Sequence, residues 1–311
     1  MCYQFFWWIV IPQQQDYDYC LMAFPWDHEK RGRITLRWLA ANRFRGKKKM
    51  NDPKTRFHVN IPFRMLFAEY LPKFIARRMN PEIGFDAEAL ELHSHEEFRS
   101  VSRQLREHGL EITFHFPYLD LSPGSPDREV RKLTVRRFEQ MLPLVSLFKP
   151  KTAVCHTGYD SVRYGFMGDA WLRNSLPIWA DLARKVAEEG SVLVLENVYE
   201  NGPSEILNLV EPLQEYGVGF CLDTGHQAVF GKAFLLEWIV TMSPYLRQVH
   251  LHDNFGKKDD HLAPGKGSID FDLLFKEMKN RLSVPPVLTL EPHKEEDVVP
   301  SLQFLERAWP W

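Results

Sequence analysis

The segment VLVLENVYENGPSEILNLVEPLQEYGVGFCLD, residues 192–223, contains two short apolar strand patterns with one helical pattern between them. Each strand pattern ends in a carboxylate, Glu196 in the first and Asp223 in the second. A strand, a helix and a second strand in this order predict parallel pairing through a right-handed crossover. The segment therefore predicts one βαβ unit that carries an acidic side chain at the carboxyl end of each strand.

The same pattern recurs along the rest of the chain. The predicted strands are 57–61, 81–85, 111–115, 152–156, 192–197, 218–223, 248–253 and 286–291. Helical patterns separate them, and in the one after the second strand Ser94 is the expected N-cap and Gly109 the expected C-terminal stop. Eight strand–helix units over roughly 255 residues match a (β/α)8 TIM barrel, an α/β fold, in number and size. A doubly wound open sheet is the alternative, but it would not bring the ends of strands three to eight to one point.

The composition is that of an ordinary globular protein. The chain has 311 residues, of which 44% are apolar and 26% charged, with a formal net charge of −2. This near-neutral charge gives no sign of a general polyanion binder. Two of the cysteines, Cys155 and Cys221, lie inside apolar strands and are predicted to be buried free thiols. We therefore expect a reducing, cytoplasmic environment.

Residues 1–55 differ in character from the remainder. Their apolar run FFWWIVI, residues 5–11, is too short to span a membrane and has no basic segment before it, as a secretory signal requires. A weak amphipathic membrane anchor is one alternative. We expect instead a disordered extension, or sequence translated upstream of a start at Met50. The barrel is predicted to occupy residues 56–311, with no membrane contact.

Potential metal ligands stand at or just past the ends of the apolar strands. They are His115, His156, Glu196, Asp223, His226, His250, Asp259, His261 and Glu291. A carboxylate or imidazole is costly to bury without a partner, and a shared divalent metal is the simplest reason for so many. The active sites of TIM barrels lie at the carboxyl ends of the strands, where these residues are.

Each of these residues also has a purely structural interpretation. Asp223 begins the turn Asp-Thr-Gly and could serve only as a helix N-cap. Glu196 and Glu291 could form a structural ion pair, or they could face each other across a substrate as an acid/base pair. His250 and His252 alternate along one strand and face the same side, so that one is expected to bind metal and the other to support it.

The remaining candidates indicate a site only in combination with the other residues. His115 and His156 would each, alone, be satisfied core histidines, but beside the other residues they are expected to contact metal or substrate. Asp259 and His261 lie in a polar loop that Pro264 helps to shape, and a solvated charged loop is the alternative interpretation.

Taken together, these motifs resemble the xylose-isomerase-like TIM-barrel superfamily. The most specific matches are LENVYE (195–200), FCLDTGH (220–226), VHLHDN (249–254), DDHLAPGKGSIDF (259–271) and the final LE (290–291). The superfamily includes sugar isomerases, sugar phosphate isomerases and epimerases, and endonuclease-IV-type enzymes that cut abasic DNA. The resemblance runs from about residue 56 to the C-terminus and implies a metal-dependent enzyme.

The isomerase and epimerase branch supplies the leading functional hypothesis. Its pattern implies one divalent ion (zinc, manganese, cobalt or magnesium) held by Glu196, Asp223, His250 and Glu291. Glu196 and Glu291 would then move a proton at a hydroxyl-bearing carbon of a small sugar, sugar phosphate or polyol. The side chains expected to contact this substrate are His115, His156, His226, His252, Tyr118 and Lys257. Lys257 stands near the place where ketose 3-epimerases have an arginine, and could meet a phosphate or carboxylate.

The endonuclease branch supplies the alternative. There, nine ligands hold three zinc ions that cleave a phosphodiester, and all nine positions have an acceptable residue in this chain. Tyr118 and Leu119 also follow His115 at the spacing that the endonucleases use for DNA contact. However, the second unit, NPEIGFDAEAL (80–90), is closer to the isomerase branch than to a DNA-penetrating loop that carries arginine. Nucleic acid is therefore the less expected partner, and a non-catalytic binding barrel is a third hypothesis.

Overall fold

Eight parallel strands close into a barrel in a computed structural model of the chain, which describes residues 57–311. The strands are β1 Phe57–Pro62, β2 Asn80–Gly84, β3 Thr113–His115, β4 Thr152–His156, β5 Val192–Glu196, β6 Gly219–Asp223, β7 Leu246–Leu251 and β8 Val287–Leu290. Each pairs with the next in chain order, and β8 pairs with β1. The predicted (β/α)8 barrel is confirmed, and the closure between β1 and β8 excludes an open sheet. The predicted extension over residues 1–55 lies outside the described residues.

Helices follow the strands around the outside of the barrel. They are α1 Phe63–Met65, α2 Leu71–Arg77, α3 Ala87–Leu92, α4 His95–Glu107, α5 Arg128–Phe148, α6 Ser161–Tyr164, α7 Gly168–Glu188, α8 Pro203–Val210, α9 Thr224–Phe230, α10 Leu235–Met242, α11 Phe271–Arg281 and α12 Glu295–Ala308. A π-helical turn spans Leu66–Tyr70, and 3-10 turns span Gly165–Met167 and Glu211–Tyr216. In the part of the chain that the structure describes, no helix combines the length and apolarity that crossing a membrane requires.

The helix α4 shows how the sequence sets these boundaries. Ser94 Oγ accepts a hydrogen bond from the Glu97 backbone N–H, and the Glu97 carboxylate accepts one from the Ser94 N–H, at 3.3 and 2.7 Å. Such a reciprocal cap contributes about 1 kcal/mol. Beyond the helix, Gly109 takes a φ of +67°, which glycine adopts without steric cost. Phe98 and Leu105 are buried on the inner face, so the predicted cap, stop and core face are all confirmed.

Some element boundaries differ from the prediction. The single helical pattern between the fifth and sixth strands is α8 followed by a 3-10 turn, because Pro212 has no N–H to continue the α-helical bonding. The seventh strand begins earlier than expected and ends at Leu251, so that His252 lies just past it. Glu291 likewise lies one residue past β8. Both side chains therefore belong to loops at the barrel mouth.

The barrel interior has an apolar side and a polar side. Val154, Val194 and Cys221 form a small cluster separate from the main core, which lies between the strands and the helices. Cys155 and Cys221 are buried free thiols, as predicted. The polar side consists of buried, hydrogen-bonded side chains; its members include Glu82, Thr113, Thr152, Gln248 and Thr289. TIM barrels usually fill this space with branched apolar residues. This polar floor lies one layer below the strand ends.

Candidate metal centre

The structure brings all nine predicted ligands to the mouth of the barrel, where they form three adjoining donor groups. The first donor group is His115, His156 and Glu196. The central donor group places Glu196, Asp223 and Glu291 around His250. The third donor group is His226, His252, Asp259 and His261. His252, which the sequence left as either ligand or support, thus lies with the third group.

In the first donor group, two imidazoles approach one carboxylate oxygen. Nε2 of His115 and Nε2 of His156 lie 3.2 and 3.5 Å from Glu196 Oε2. Burial lowers the pKa of His156 to about 3, so this ring is neutral and can donate a lone pair. The ring centroid of Tyr118 lies 4.2 Å from that of His156, and the predicted contact of Tyr118 with substrate stays a prediction.

In the central donor group, one imidazole nitrogen meets carboxylates from three strands or strand ends. Nδ1 of His250 lies 3.1 Å from Glu291 Oε1, 3.4 Å from Glu196 Oε1 and 3.8 Å from Asp223 Oδ2. Glu196 and Glu291, which we expected to face each other across the barrel, therefore meet at the same nitrogen. Two glutamates, one aspartate and one histidine form the central set.

In the third donor group, Asp259 is the common partner. Its Oδ2 lies 3.1 Å from Nε2 of His261 and 3.5 Å from Nε2 of His226, and its Oδ1 lies 3.5 Å from Nδ1 of His252. His261 has a φ of +48°, a left-handed conformation that costs a residue with a side chain on the order of 1 kcal/mol. Such strain is typical of functional loops. The solvated-loop interpretation of Asp259 and His261 does not account for this packing.

The turn at the start of α9 joins the groups. Asp223 Oδ1 accepts a hydrogen bond of 2.7 Å from the backbone N–H of His226, so Asp223 is an N-cap as well as a member of the central group. His252 Nε2 lies 3.0 Å from the same Oδ1. A Cβ on Gly225 would lie 1.8 Å from the His252 ring, so only glycine allows this close approach.

Three of the histidines have their ring orientation fixed by the backbone. Nδ1 of His115, His226 and His261 lies 3.0, 3.1 and 2.9 Å from the carbonyl oxygens of Phe116, Asn197 and Glu291, respectively. Because a carbonyl only accepts, each Nδ1 donates its hydrogen to the backbone, and this leaves Nε2, the nitrogen that faces a carboxylate, as the one that would bind a cation. This arrangement is common among metal-binding histidines.

Glu196 connects two of the groups through its two oxygens. Oε2 faces His115 and His156, whereas Oε1 lies 3.3 Å from Nδ1 of His226 and 3.4 Å from Nδ1 of His250. Its side chain is almost fully buried. A carboxylate with one oxygen in each of two donor groups is placed to bridge two cations.

Several of the buried ligand atoms lack hydrogen bonds. Among residues 57–311, these atoms include Glu196 Oε1, His250 Nδ1, His252 Nδ1 and Asp259 Oδ1. Buried polar atoms nearly always have a partner, and each unsatisfied one costs about 1–3 kcal/mol. The donor set of imidazoles and carboxylates suits zinc, manganese or cobalt. The residues present thus fit divalent cations in the three donor groups.

The carboxyls of the site differ in their affinity for protons. Burial favours the neutral form of Glu196, but the neighbouring His250 and His156 outweigh it and hold its pKa well below the usual range. Burial and the Asp223 and Glu196 carboxylates raise the pKa of Glu291, despite the opposing effect of His250. Glu196 is therefore a carboxylate, whereas Glu291 holds a proton more readily than an ordinary glutamic acid.

The sequence reasoning missed two residues at this site. His293 stacks on His261 with ring centroids 3.6 Å apart, and His261 stacks in turn on His252 at 3.7 Å. Glu82 lies under His250, with Oε1 3.1 Å from Nε2. A histidine two residues after Glu291 and a glutamate inside an apolar strand were the available signals. Lys257 is exposed in the loop after β7, and its predicted contact with substrate stays a prediction.

Comparison with known sequences gives relatives of two kinds. The chain is 25% identical over 269 residues to an uncharacterized protein of Methanocaldococcus jannaschii, covering 82% of this chain and 92% of that protein. It is also 25% identical over 214 residues to a probable endonuclease 4 of Mycobacterium leprae, covering 64% of this chain and 81% of that protein.

Solved structures share the fold. A D-tagatose 3-epimerase-like protein superposes with a TM-score of 0.68 at 22% identity, covering 81% of this chain and 96% of that one. A Thermus thermophilus protein from a crystal soaked with ZnCl2 superposes with a TM-score of 0.66 at 26% identity, again covering 81% and 96%. The sequence profile of the xylose isomerase-like TIM barrel family matches residues 81–308. With this match over most of the barrel that carries the three donor groups, the chain belongs to the xylose isomerase-like TIM barrel family.

Proposed function

We propose that this barrel is a multinuclear metal-dependent hydrolase that cleaves a phosphate diester. The observation that carries the proposal is the position of Glu196, whose two oxygens face two different donor groups. A site built for one ion needs only the central donor group. Here a first donor group of three residues and a third donor group of four residues lie beside it. Sites with several neighbouring cations are typical of phosphatases and nucleases.

The residues that would hold the ions follow from the donor groups. Divalent ions bound there would supply Lewis acidity toward a phosphoryl oxygen and make a water molecule a better nucleophile at neutral pH. Glu196 is ionised and buried, so it supplies negative charge to both the first and the central donor groups. Glu291 Oε1 lies 3.1 Å from Nδ1 of His250, so Glu291 would supply a second carboxylate to an ion in the central donor group.

A small phosphate diester fits the chain better than long DNA. The formal net charge of −2 does not favour attraction of a long polyanion. The segment FDAEAL (85–90), which follows β2 and runs into α3, also lacks an arginine. The likeness to a probable endonuclease 4 nevertheless makes an abasic-site oligonucleotide a necessary substrate in any test.

Isomerisation or epimerisation of a small sugar, sugar phosphate or polyol is the second candidate. The observation in its favour is the pair formed by Glu196 and Glu291, which meet at His250 Nδ1 and whose pKa values are displaced in opposite directions. Such a pair can serve as base and acid. This candidate takes second place because a single ion in the central donor group would leave Asp259 with His261, and His115 with His156, without a cation.

An activity panel on the metal-reconstituted full chain separates the two candidates. The substrates are a chromogenic phosphate diester, an abasic-site oligonucleotide, and free and phosphorylated ketoses. Diester cleavage that is lost in His115→Asn would support the hydrolase, because His115 Nε2 contacts Glu196 Oε2 in the first donor group. Sugar epimerisation that proceeds at the normal rate in His115→Asn, without diester cleavage, would overturn it in favour of the second candidate.

A further inference from the structure

Glu82 is a fully buried carboxylate in the middle of the barrel floor. It lies on β2, a strand that supplies none of the nine predicted ligands, and its relative exposure is 0%. Within residues 57–311, no lysine or arginine forms an ion pair with this side chain. A buried carboxylate that pairs with neither lysine nor arginine needs hydrogen bonds to offset the loss of water. The floor of the barrel provides them.

The partners of Glu82 come from four other strands. Asn60 on β1 donates to Oε1 at 3.1 Å, and Thr113 on β3 donates to Oε2 at 2.9 Å. Thr289 on β8 donates to Oε2 at 3.0 Å, and the Gln248 amide on β7 also donates to Oε2. A carboxylate only accepts, so it suits a surrounding made of donors. The network holds Glu82 in one orientation.

In that orientation, Glu82 faces the edge of the His250 ring that points away from the other members of the central donor group. Its Oε1 lies 3.1 Å from Nε2 of His250, while Nδ1 of the same ring faces Glu196 and Glu291. The Gln248 amide nitrogen also lies 3.1 Å from Nε2, but an amide nitrogen only donates. When Nδ1 gives its lone pair to a cation, Nε2 of the neutral ring carries the hydrogen and needs an acceptor. Among these neighbours, Glu82 supplies it.

We propose that Glu82 is a positioning residue for the central metal ion: it accepts the Nε2–H of His250 and so fixes Nδ1 as the ligating nitrogen. The inference rests on the metal centre of the proposed function, but not on the reaction that the centre performs. A carboxylate behind a histidine ligand orients the ring and strengthens it as a donor, and its loss typically weakens metal binding about 10–100-fold. The Asn60 amide, which donates to Glu82, also donates to Glu291 Oε1 at 3.3 Å and so connects Glu82 with a second member of the central donor group.

Metal affinity distinguishes positioning from a merely structural role. The variant is Glu82→Gln, which keeps the shape but replaces one acceptor oxygen by a donor. The matched control is Thr152→Val, because Thr152 donates to Gln248 in the same buried network at 2.5 Å. Apoprotein of the full chain, with folding verified by circular dichroism, is titrated with Zn²⁺ against a chromophoric chelator.

We expect Glu82→Gln to weaken one class of zinc site by about 10–100-fold and to leave the other classes unchanged. Thr152→Val should bind zinc as the wild type does. Unchanged affinities in Glu82→Gln, or equal losses in both variants, would overturn the inference. A wild-type chain that binds zinc but cleaves no diester would contradict the proposed function alone, whereas a wild-type chain that binds no zinc would contradict both.

If Glu82→Gln does not fold, a crystal structure of the zinc-loaded wild type decides the question. We expect zinc on Nδ1 of His250, with Glu82 within hydrogen-bonding distance of Nε2. Zinc on Nε2, with the ring turned away from Glu82, would overturn the inference.

Discussion

Glu196 Oε2 lies 3.2 Å from Nε2 of His115, on the side of the carboxylate that faces away from the central donor group. The other oxygen, Oε1, faces His250. Glu196 therefore takes part in two donor groups at once. This double role distinguishes the centre from a simple four-ligand site, and the predictions on ligand residues follow from it.

Glu196→Gln should remove the carboxylate that the first and central donor groups share. An amide offers one oxygen and one NH2 group in place of two acceptor oxygens, so that one of the two donor groups loses its shared ligand. We expect a fall in kcat/KM of more than about 100-fold and the loss of at least one bound ion. Replacing a residue that only supports a metal ligand already lowers metal affinity or activity about 10–100-fold. Steady-state kinetics and elemental analysis test this. The control is Glu188→Gln, an exposed residue paired with Arg184, and a Glu196→Gln variant with full activity would contradict the prediction.

His115→Asn should remove one ion while the central ion remains. His115 forms an ion pair with Glu196 in the first donor group, so its loss affects that group. The matched control is His95→Asn, because His95 is exposed at the start of α4. Metal content by mass spectrometry should fall by about one ion per chain. The first donor group has three members, the usual number of protein ligands in an open metal site, and it would keep only two of them. An unchanged metal content would show that the first donor group holds no ion.

Gly225→Ala should disrupt the turn between Asp223 and His226. The added Cβ would lie 1.8 Å from the His252 ring, so either the turn or the ring must move. We expect a loss of about 1–3 kcal/mol in the free energy of unfolding, together with weaker metal binding. Gly165→Ala is the control, since no atom lies within 4 Å of its added Cβ. Chemical denaturation of both variants measures the difference, and equal stabilities would refute the packing argument.

Glu200 should make stability depend on pH. Burial raises the pKa of this carboxyl from 4.5 to about 7, although hydrogen bonds from Thr157 and the Val198 N–H oppose the shift. Between these values the folded chain binds more protons than the unfolded one, so the stabilisation is full below about pH 4.5 and is lost as the pH rises to 7. It amounts to at most about 3 kcal/mol.

Glu200→Gln cannot ionise and should remove that dependence. Relative to the wild type, its Tm should therefore rise as the pH increases from 5 to 8. Thermal unfolding at the two pH values measures this, with exposed Glu188→Gln as the control. If the Tm of the variant differs from that of the wild type by the same amount at pH 5 and pH 8, the raised pKa of Glu200 is contradicted.

Much of the fold and the ligand set could be predicted because both depend on local patterns. That the run VLVLE ends in Glu196 can be read from the local sequence alone. The alternation of such runs with helical patterns predicts parallel strands. The structure brings the nine predicted ligands into one mouth. His226 and Asp223 also share one turn, as their spacing indicated.

The parts that could not be predicted depend on contacts between distant residues. Glu82 meets Gln248 across 166 residues of sequence, and nothing around either residue indicates the other. The stack of His293 on His261 depends on the left-handed backbone of His261, which the sequence does not show. The two oxygens of Glu196 could be assigned to separate donor groups only from the positions of both groups.

The number of metal ions per chain tests the multinuclear centre most directly. Elemental analysis of the purified full chain, reconstituted with zinc and freed of loosely bound ions, gives this number without reference to any substrate. The three donor groups predict about three ions per chain. A value of one in the wild type, unchanged in His115→Asn, would contradict the account and leave only the central donor group as a metal site.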